Sequence, residues 1–275
     1  SIDQVIMGNG SDEVLRMVCM AYLDAGEEAA MLWPTYSLYD TFIEMFGGRT
    51  HHIPAEAGQP LPAAARRAPA PRVFFLANPN PPLGTLYPND QVEALAQSMP
   101  DTLVVLDEAY VDFADTNGLS LLPRCPNLLI TRTFSKSYSL AGMRMGWGMG
   151  HPGIIATLAK VKDSYNLDRA QQAVGLAALR AEAAWKRSIA AVRSERERVA
   201  QALRRIGFEV PDSAGNFVFP RNGPIAAEPL FRALRERRIV VRYFPAPELK
   251  NGIRVSIGTP EQMDRFLEAV NEIIG

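Results

Sequence analysis

Four polar clusters in this chain carry residue types that could do chemistry together. Gly8-Asn9-Gly10-Ser11-Asp12 opens a helical pattern, and a glycine-rich helix start offers backbone N–H groups to an anion. Asn78-Pro79-Asn80-Pro81-Pro82-Leu83-Gly84 supplies amides in a loop. Asp107-Glu108-Ala109-Tyr110 sets a carboxylate beside a phenol. Thr131-Arg132-Thr133-Phe134-Ser135-Lys136-Ser137 places an amine among hydroxyls. Each alone has a plainer explanation: a turn with a cap, a loop that stops a strand, a strand-end cap, or one more surface lysine. A cation, an anion, a phenol and a phosphate-type cradle at successive element ends match chance poorly.

The elements around these clusters explain how they would meet. Residues 73–77, 103–107 and 128–132 are apolar runs, as buried parallel strands are. In an open parallel sheet, ligands bind beyond the carboxyl ends of the strands, where three of the clusters fall. Ser11 is expected to cap the first helix, with Asp12 and Glu13 in its first turn. Val14, Leu15, Val18, Cys19, Tyr22 and Leu23 share one face, and Gly26 is expected to end it. A strand over 29–32 follows, then a helix over 37–46 closed by Gly47-Gly48, and later a helix over 89–98. The Ala- and Pro-rich stretch 55–71 reads as a surface connection. This alternation predicts an α/β domain with a mostly parallel sheet.

From about residue 168 the texture changes. One long helical pattern runs to 206, rich in Ala, Arg and Glu. Strands are predicted over 217–219, 239–242 and 253–257, with helices over 226–237 and 261–274. The expected organisation is a large domain over 1–165 and a smaller α+β domain over 166–275.

Composition bounds the rest. The chain has 275 residues, 47% hydrophobic and 21% charged, with a net charge of −1. That is a globular composition with no electrostatic pull toward nucleic acid. The arginines between 180 and 205 are interleaved with Glu182, Glu195 and Glu197, so they predict a solvated helix face. Cys19 and Cys125 belong to no CxxC or Cys/His cluster, which predicts free thiols in a reducing compartment. No signal-peptide layout or bilayer-length apolar run is evident, and the chain is expected to be cytoplasmic. His51, His52 and His151 lack partners at ligand spacing, so no metal site is expected. No dinucleotide fingerprint follows the first strands, and Ser135 has no companions for a hydrolytic triad.

In order along the chain stand Gly10-Ser11-Asp12-Glu13, Trp33-Pro34-Thr35-Tyr36, Asn78-Pro79-Asn80, Asp107-Glu108-Ala109-Tyr110, Thr133-Phe134-Ser135-Lys136 and Ser139-Leu140-Ala141-Gly142-Met143-Arg144. This series resembles the fold-type I aminotransferases that use pyridoxal 5'-phosphate, and within them the histidinol-phosphate aminotransferase branch. The resemblance covers nearly the whole chain. It implies a three-layer αβα large domain with a seven-stranded, mostly parallel sheet.

The resemblance also implies roles. Lys136 would hold the cofactor as a Schiff base and move the substrate proton. Asp107 would pair with the ring nitrogen, Tyr110 with the ring oxygen, and Tyr36 would stack on the ring. Gly10, Ser11, Asp12, Ser135 and Arg144 would cradle the phosphate. Arg254 would clamp the substrate carboxylate, with Arg242 and Asn216 nearby. Two departures stand out. The second Asn of the family's Asn-Asn-Pro-Thr-Gly is Pro81 here, which has no donor, so either Asn80 serves in its place or Tyr110 holds the ring oxygen with less help. The family's N-terminal arm, which reaches the neighbouring subunit, is expected to be absent because the chain begins just before the first motif.

The implied reaction passes an amino group from a donor, histidinol phosphate first, to a 2-oxo acid such as 2-oxoglutarate, in a homodimer. A threonine-phosphate-type decarboxylase, an aromatic aminotransferase and a non-catalytic binding or regulatory module of the same fold stay open.

Overall fold

The computed structural model describes residues 1–66 and 70–275. A seven-stranded sheet is built from β1 (Val5–Gly8), β2 (Glu28–Trp33), β3 (Arg49–Pro54), β4 (Val73–Ala77), β5 (Leu103–Asp107), β6 (Leu128–Thr133) and β7 (Gly146–Gly150). Their order is β1-β7-β6-β5-β4-β2-β3. The β2–β3, β2–β4, β4–β5 and β5–β6 pairings are parallel, and β7 runs antiparallel to both of its neighbours.

Side-chain alternation splits the strands between two cores. Val73, Phe75, Ala77, Leu103, Val105 and Leu129 pack under α1 (Ser11–Tyr22), α2 (Leu38–Met45) and α4 (Pro152–Ala159). Phe74, Leu76, Val104, Leu106, Leu128 and Ile130 pack under α3 (Asn89–Ser98). Both faces are thus covered, which is why these strands are apolar throughout. The three-layer α/β architecture implied by the sequence is the one found.

A second sheet, ordered β8-β10-β9, is antiparallel and small: β8 (Phe217–Val218), β9 (Arg242–Tyr243) and β10 (Ile253–Ser256). It shares a core with α6 (Glu182–Arg205), α7 (Ala227–Glu236) and α8 (Pro260–Ile274).

Several local expectations need correction. Ser11 is the first residue of α1, and Gly10 is its N-cap, with φ +84. The helix ends at Tyr22, so Gly26 serves the following turn. The predicted helix over 168–206 is two helices, α5 (Arg169–Arg180) and α6, which meet at Ala181. Nothing in the Ala-rich sequence marks that break. The Trp185 indole, though, stacks on Tyr138 and donates to Ser137 Oγ, and such tertiary contacts override propensity.

The apolar run at 239–241 is not strand. The Ile239 N–H closes the end of α7 by bonding the Leu234 carbonyl, and Val240 is exposed. The stretch 55–71 is only partly surface, since Leu61 and Ala65 are buried in the α3-side core; residues 67–69 of it lie outside the described residues. Strands β1, β3 and β7 and helix α4 were not anticipated. For β7 the cause is composition, because Gly146, Gly148 and Gly150 carry no β-propensity signal.

Candidate active site

The carboxyl ends of β4, β5 and β6 and the start of α1 enclose a cavity of about 260 Å³. Its walls include Ser11, Asp12, Tyr36, Asp107, Tyr110, Ser135, Lys136 and Arg144. Eight of the expected site residues, drawn from five segments, therefore meet in one place. Pro81, the departure from the family pattern, also lines it.

Asp107 is the last residue of β5 and is 5% exposed. Tyr39 Oη donates to its Oδ2 at 2.7 Å, while Thr131 Oγ1 and the Ala109 N–H donate to Oδ1 at 3.1 and 3.2 Å. Burial pushes its pKa up, against the pull of these three bonds. A carboxylate in such a position suits a cationic N–H partner, since isolated burial of a charge is costly.

Lys136 follows β6 and is half-buried. Among the described residues its amine makes no hydrogen bond or ion pair, and it lies 5.2 Å from the centre of the Tyr110 ring. Its loop is held from both sides. Ser137 Oγ donates to Asp112 and accepts from Trp185 Nε1 at 3.1 Å. Thr133 Oγ1 donates to Ser135 Oγ at 2.9 Å and accepts the Ser135 N–H.

At the other wall, Asp12 bridges Tyr36 and Arg144. Tyr36 Oη donates to Asp12 Oδ1, and Arg144 Nη2 donates to Oδ2, both at 3.1 Å. Arg144 takes a left-handed backbone (φ 49), which turns its guanidinium back over Gly10. A Cβ on Gly10 would stand 2.6 Å from Arg144 Nη2. On Gly146 it would stand 2.2 Å from the Ser11 nitrogen. The first turn of α1, Arg144 and the Lys136 loop can approach one another only because both positions lack a side chain.

Four expected residues lie elsewhere. Asn80 is fully buried and is not brought to the cavity: its Nδ2 donates to the Pro34 carbonyl at 2.9 Å, and its Oδ1 accepts from Thr35. It braces the turn that carries Tyr36. Arg254 and Arg242 face each other across β9 and β10. The Arg254 guanidinium lies between the rings of Phe217 (5.5 Å) and Phe244 (5.9 Å), and its buried Nε has no partner among the described residues. Phe217 in turn meets Tyr110 edge-on at 5.1 Å, which connects this arginine to the cavity wall. Asn216 lies beside Phe217, and its carbonyl accepts the Ile257 N–H.

Sequence reasoning missed Tyr39 and Thr131. Tyr39 could have been found from its spacing: three residues beyond Tyr36, it shares a helix face with Phe42 and Ile43. It also missed the buried pair beside the site, where Arg132 Nε donates to Glu108 Oε2 at 2.8 Å. His52 proves to have an acidic partner, Asp40, at 2.9 Å, and stacks on Trp33. Among the described residues no cluster of three metal-ligating side chains occurs.

Residues 1–270 match the model of the family described as aminotransferase class I and II. The chain belongs to that family. It is 44% identical to the histidinol-phosphate aminotransferase of Syntrophotalea carbinolica over 98% of this chain and 78% of the relative. It is 42% identical to that of Microcystis aeruginosa over 99% and 78%. The solved structure of histidinol-phosphate aminotransferase from Sinorhizobium meliloti in complex with pyridoxal-5'-phosphate superposes with a TM-score of 0.90, at 28% identity, covering 100% of this chain and 77% of that one. The L-threonine-O-3-phosphate decarboxylase of Porphyromonas gingivalis shares the fold, with a TM-score of 0.87 at 21% identity over 100% and 76%. The chain is thus a pyridoxal-phosphate-dependent aminotransferase.

Gly146→Ala should push the start of α1 off β7. We expect pyridoxal phosphate affinity, read by fluorescence titration, to fall about tenfold or more, the worth of one charge-assisted hydrogen bond. Far-UV circular dichroism should stay unchanged. Unaltered affinity would mean that this helix start does not hold the phosphate.

Proposed function

We propose that this chain transfers the amino group of histidinol phosphate to a 2-oxo acid, with 2-oxoglutarate the first candidate acceptor. The observation that supports this most is the 40–44% identity to several histidinol-phosphate aminotransferases over nearly the whole chain. Amino transfer is favoured over decarboxylation of a phosphorylated amino acid because the decarboxylase likeness lies at the level of fold.

The cavity suits pyridoxal phosphate on its own chemistry: a buried carboxylate deep in the wall, an unpartnered amine beside a phenol, and a glycine-lined cradle under an arginine. In this reading the phosphate is held by the N–H groups of Ser11 and Asp12 beside Gly10, by Ser135 and by Arg144. Asp107 would keep the proton on the ring nitrogen, Tyr110 would donate to the ring oxygen, and Tyr36 would cover one ring face. Asn80 acts at one remove, through the turn before Tyr36. The bound cofactor supplies an electron sink for charge developing at the substrate α-carbon.

The remaining work falls to the protein. Lys136 Nζ would hold the cofactor covalently and, once freed by the substrate amine, would be the base that takes the proton from the substrate α-carbon and the acid that delivers it to the cofactor's C4′, across the intervening nitrogen. Arg254, whose Nε has no partner among the described residues, would grip the α-carboxylate of the 2-oxo acid and, in the other half-reaction, the phosphate of histidinol phosphate, which has no carboxylate, and Arg242 and Asn216 line the approach. Here residues 1–165 hold the cofactor and residues 166–275 supply the carboxylate clamp.

We also place the enzyme in the cytoplasm as a homodimer. Buried free Cys19 and Cys125 suit a reducing compartment, and among the described residues no helix is long and apolar enough to cross a membrane. Tyr165, Leu176 and Leu179 are exposed around one shallow cavity, an apolar surface of the kind subunits cover. Sedimentation of the holoenzyme at twice the 30.2 kDa chain mass tests the dimer, and fractionation of cells tests the compartment.

The protein loaded with pyridoxal phosphate should show a visible band that borohydride fixes onto Lys136, read by peptide mapping. Lys136→Ala should lose both. A band that persists in that variant would assign the amine elsewhere. A donor panel with 2-oxoglutarate should give glutamate fastest from histidinol phosphate. Release of CO2 from threonine phosphate, or a preference for aromatic amino acids, would replace this substrate assignment.

A further inference from the structure

The carboxylate proposed to face the ring nitrogen is itself held by a buried phenol. Tyr39 is 0% exposed, and its Oη lies 2.7 Å from Asp107 Oδ2. Its ring lies flat against Phe75 of β4, centroids 4.9 Å apart and planes 15° apart. Its edge meets the Tyr36 ring at 5.5 Å and 88°. One side chain therefore touches both the acid expected under the ring nitrogen and the aromatic expected over the ring face.

This contact has a local cause. Tyr39, Phe42 and Ile43 form the buried face of α2, and Phe75, Ala77 and Asp107 point to the same side of the sheet because Ala77 and Asp107 are in register. Tyr39 lies over that row with its hydroxyl reaching the strand end. It keeps its proton, since burial and the neighbouring Asp107 both push its pKa well above the ordinary phenol range. It is thus a donor, and a carboxylate is the acceptor that gains most from it.

We propose that Tyr39 is a positioning residue for amino transfer, whose phenol holds Asp107 oriented and anionic while its ring braces Tyr36. The inference rests on the assignment of Asp107 to the ring nitrogen. Without the Oη–H, Asp107 keeps only the donors on its other oxygen, Thr131 Oγ1 and the Ala109 N–H. Desolvation is then less opposed, the carboxylate becomes the stronger base, and the shared proton moves from the ring nitrogen toward Asp107. The other titratable groups around it are Asp12 from α1, Tyr36 ahead of α2, and Tyr110 after β5. Tyr36 keeps its proton, since burial and the neighbouring Asp12 push its pKa up, and the Asp12 carboxylate already pairs with Arg144.

The test is Tyr39→Phe, which keeps the ring and removes the donor. A ring nitrogen that carries less of the proton makes the nitrogen joined to Lys136 more basic. The pH midpoint of the holoenzyme's visible band should therefore rise, by about half a unit or more. Pyridoxal phosphate affinity should fall about tenfold. Phe75→Leu disturbs the same ring stack without touching Asp107, so packing loss alone lowers the melting temperature and leaves the midpoint in place.

Asp107→Asn, measured in parallel, separates the two levels of the argument. A midpoint that moves in Asp107→Asn and stays put in Tyr39→Phe overturns the role of Tyr39 alone. A midpoint that moves in neither overturns the assignment of Asp107 and the role of Tyr39 with it. In the double variant, Tyr39→Phe should add nothing to Asp107→Asn, because the phenol acts through the carboxylate. An additive shift would show that Tyr39 acts by another route.

Discussion

A carboxylate almost shut off from water at the end of β5 is the constraint around which this molecule is arranged. Asp107 is 5% exposed, and burying a charge there is tolerable only with partners on every side. Those partners come from three elements: Tyr39 from α2, Thr131 from β6 and the Ala109 N–H from the turn after β5. The parallel register of β5 and β6 sets Thr131 opposite Asp107, and the close fit of α2 on β4 sets Tyr39 above it. A slip of one residue in either strand would send the carboxylate or its partner to the other face of the sheet. Register and chemistry are therefore one requirement here. The neighbouring Glu108 shows the same economy on the opposite face, where burial raises its pKa while Arg132 and the Gly118 N–H hold it.

A second requirement is close approach. The cavity brings a helix start, a lysine loop and an arginine close together. Gly10 and Gly146 provide it by leaving out the side chains that would hold those backbones apart. Gly148 does the same further along β7, where a Cβ would press on Val14 at 3.0 Å. The glycines that weaken β7 as a strand are the ones that let α1 lie against it. β7 holds its place through its pairing with β1 and β6 on either side.

These facts explain what could be seen in the sequence. Strands β4 and β5 and helix α3 were legible to the residue because apolar runs and helical spacing mark them without competition. Most of the cavity was legible too, since Lys136, Asp107, Tyr110 and Arg144 sit in motifs at the ends of those runs. What escaped was set by tertiary contact. β7 looks like a loop because its glycines answer to α1 across space. The break at Ala181 answers to Trp185 docking on Tyr138. The residues 239–241 look like a strand, yet the end of α7 claims their backbone. Asn80 looked like a cofactor ligand because it sits in the right motif, and only the structure shows its amide committed to Pro34 and Thr35. Tyr39 was hidden for the opposite reason: a buried aromatic on an apolar helix face passes for packing.

The long helix α6 meets the large sheet at both ends of the site. Near its start, Trp185 holds Ser137, the residue next to Lys136. Midway, Arg196 donates to the carbonyls of Phe113 and Gly215 together, so the turn after Tyr110 and the segment before Phe217 hang from one guanidinium. Arg196 thus departs from the solvated face expected of the arginines in this helix. From there Phe217 reaches Tyr110 on one side and Arg254 on the other. The distance from Arg254 to the lysine is consequently set by a short series of packed rings and one half-buried arginine. The two groups proposed to act on one small substrate, Arg254 and Lys136, are thus spaced by packing rather than by a direct ion pair. Among the described residues the Arg254 Nε has no partner, so in the proposed function it is open to an anionic substrate group that a salt bridge from the protein would have displaced.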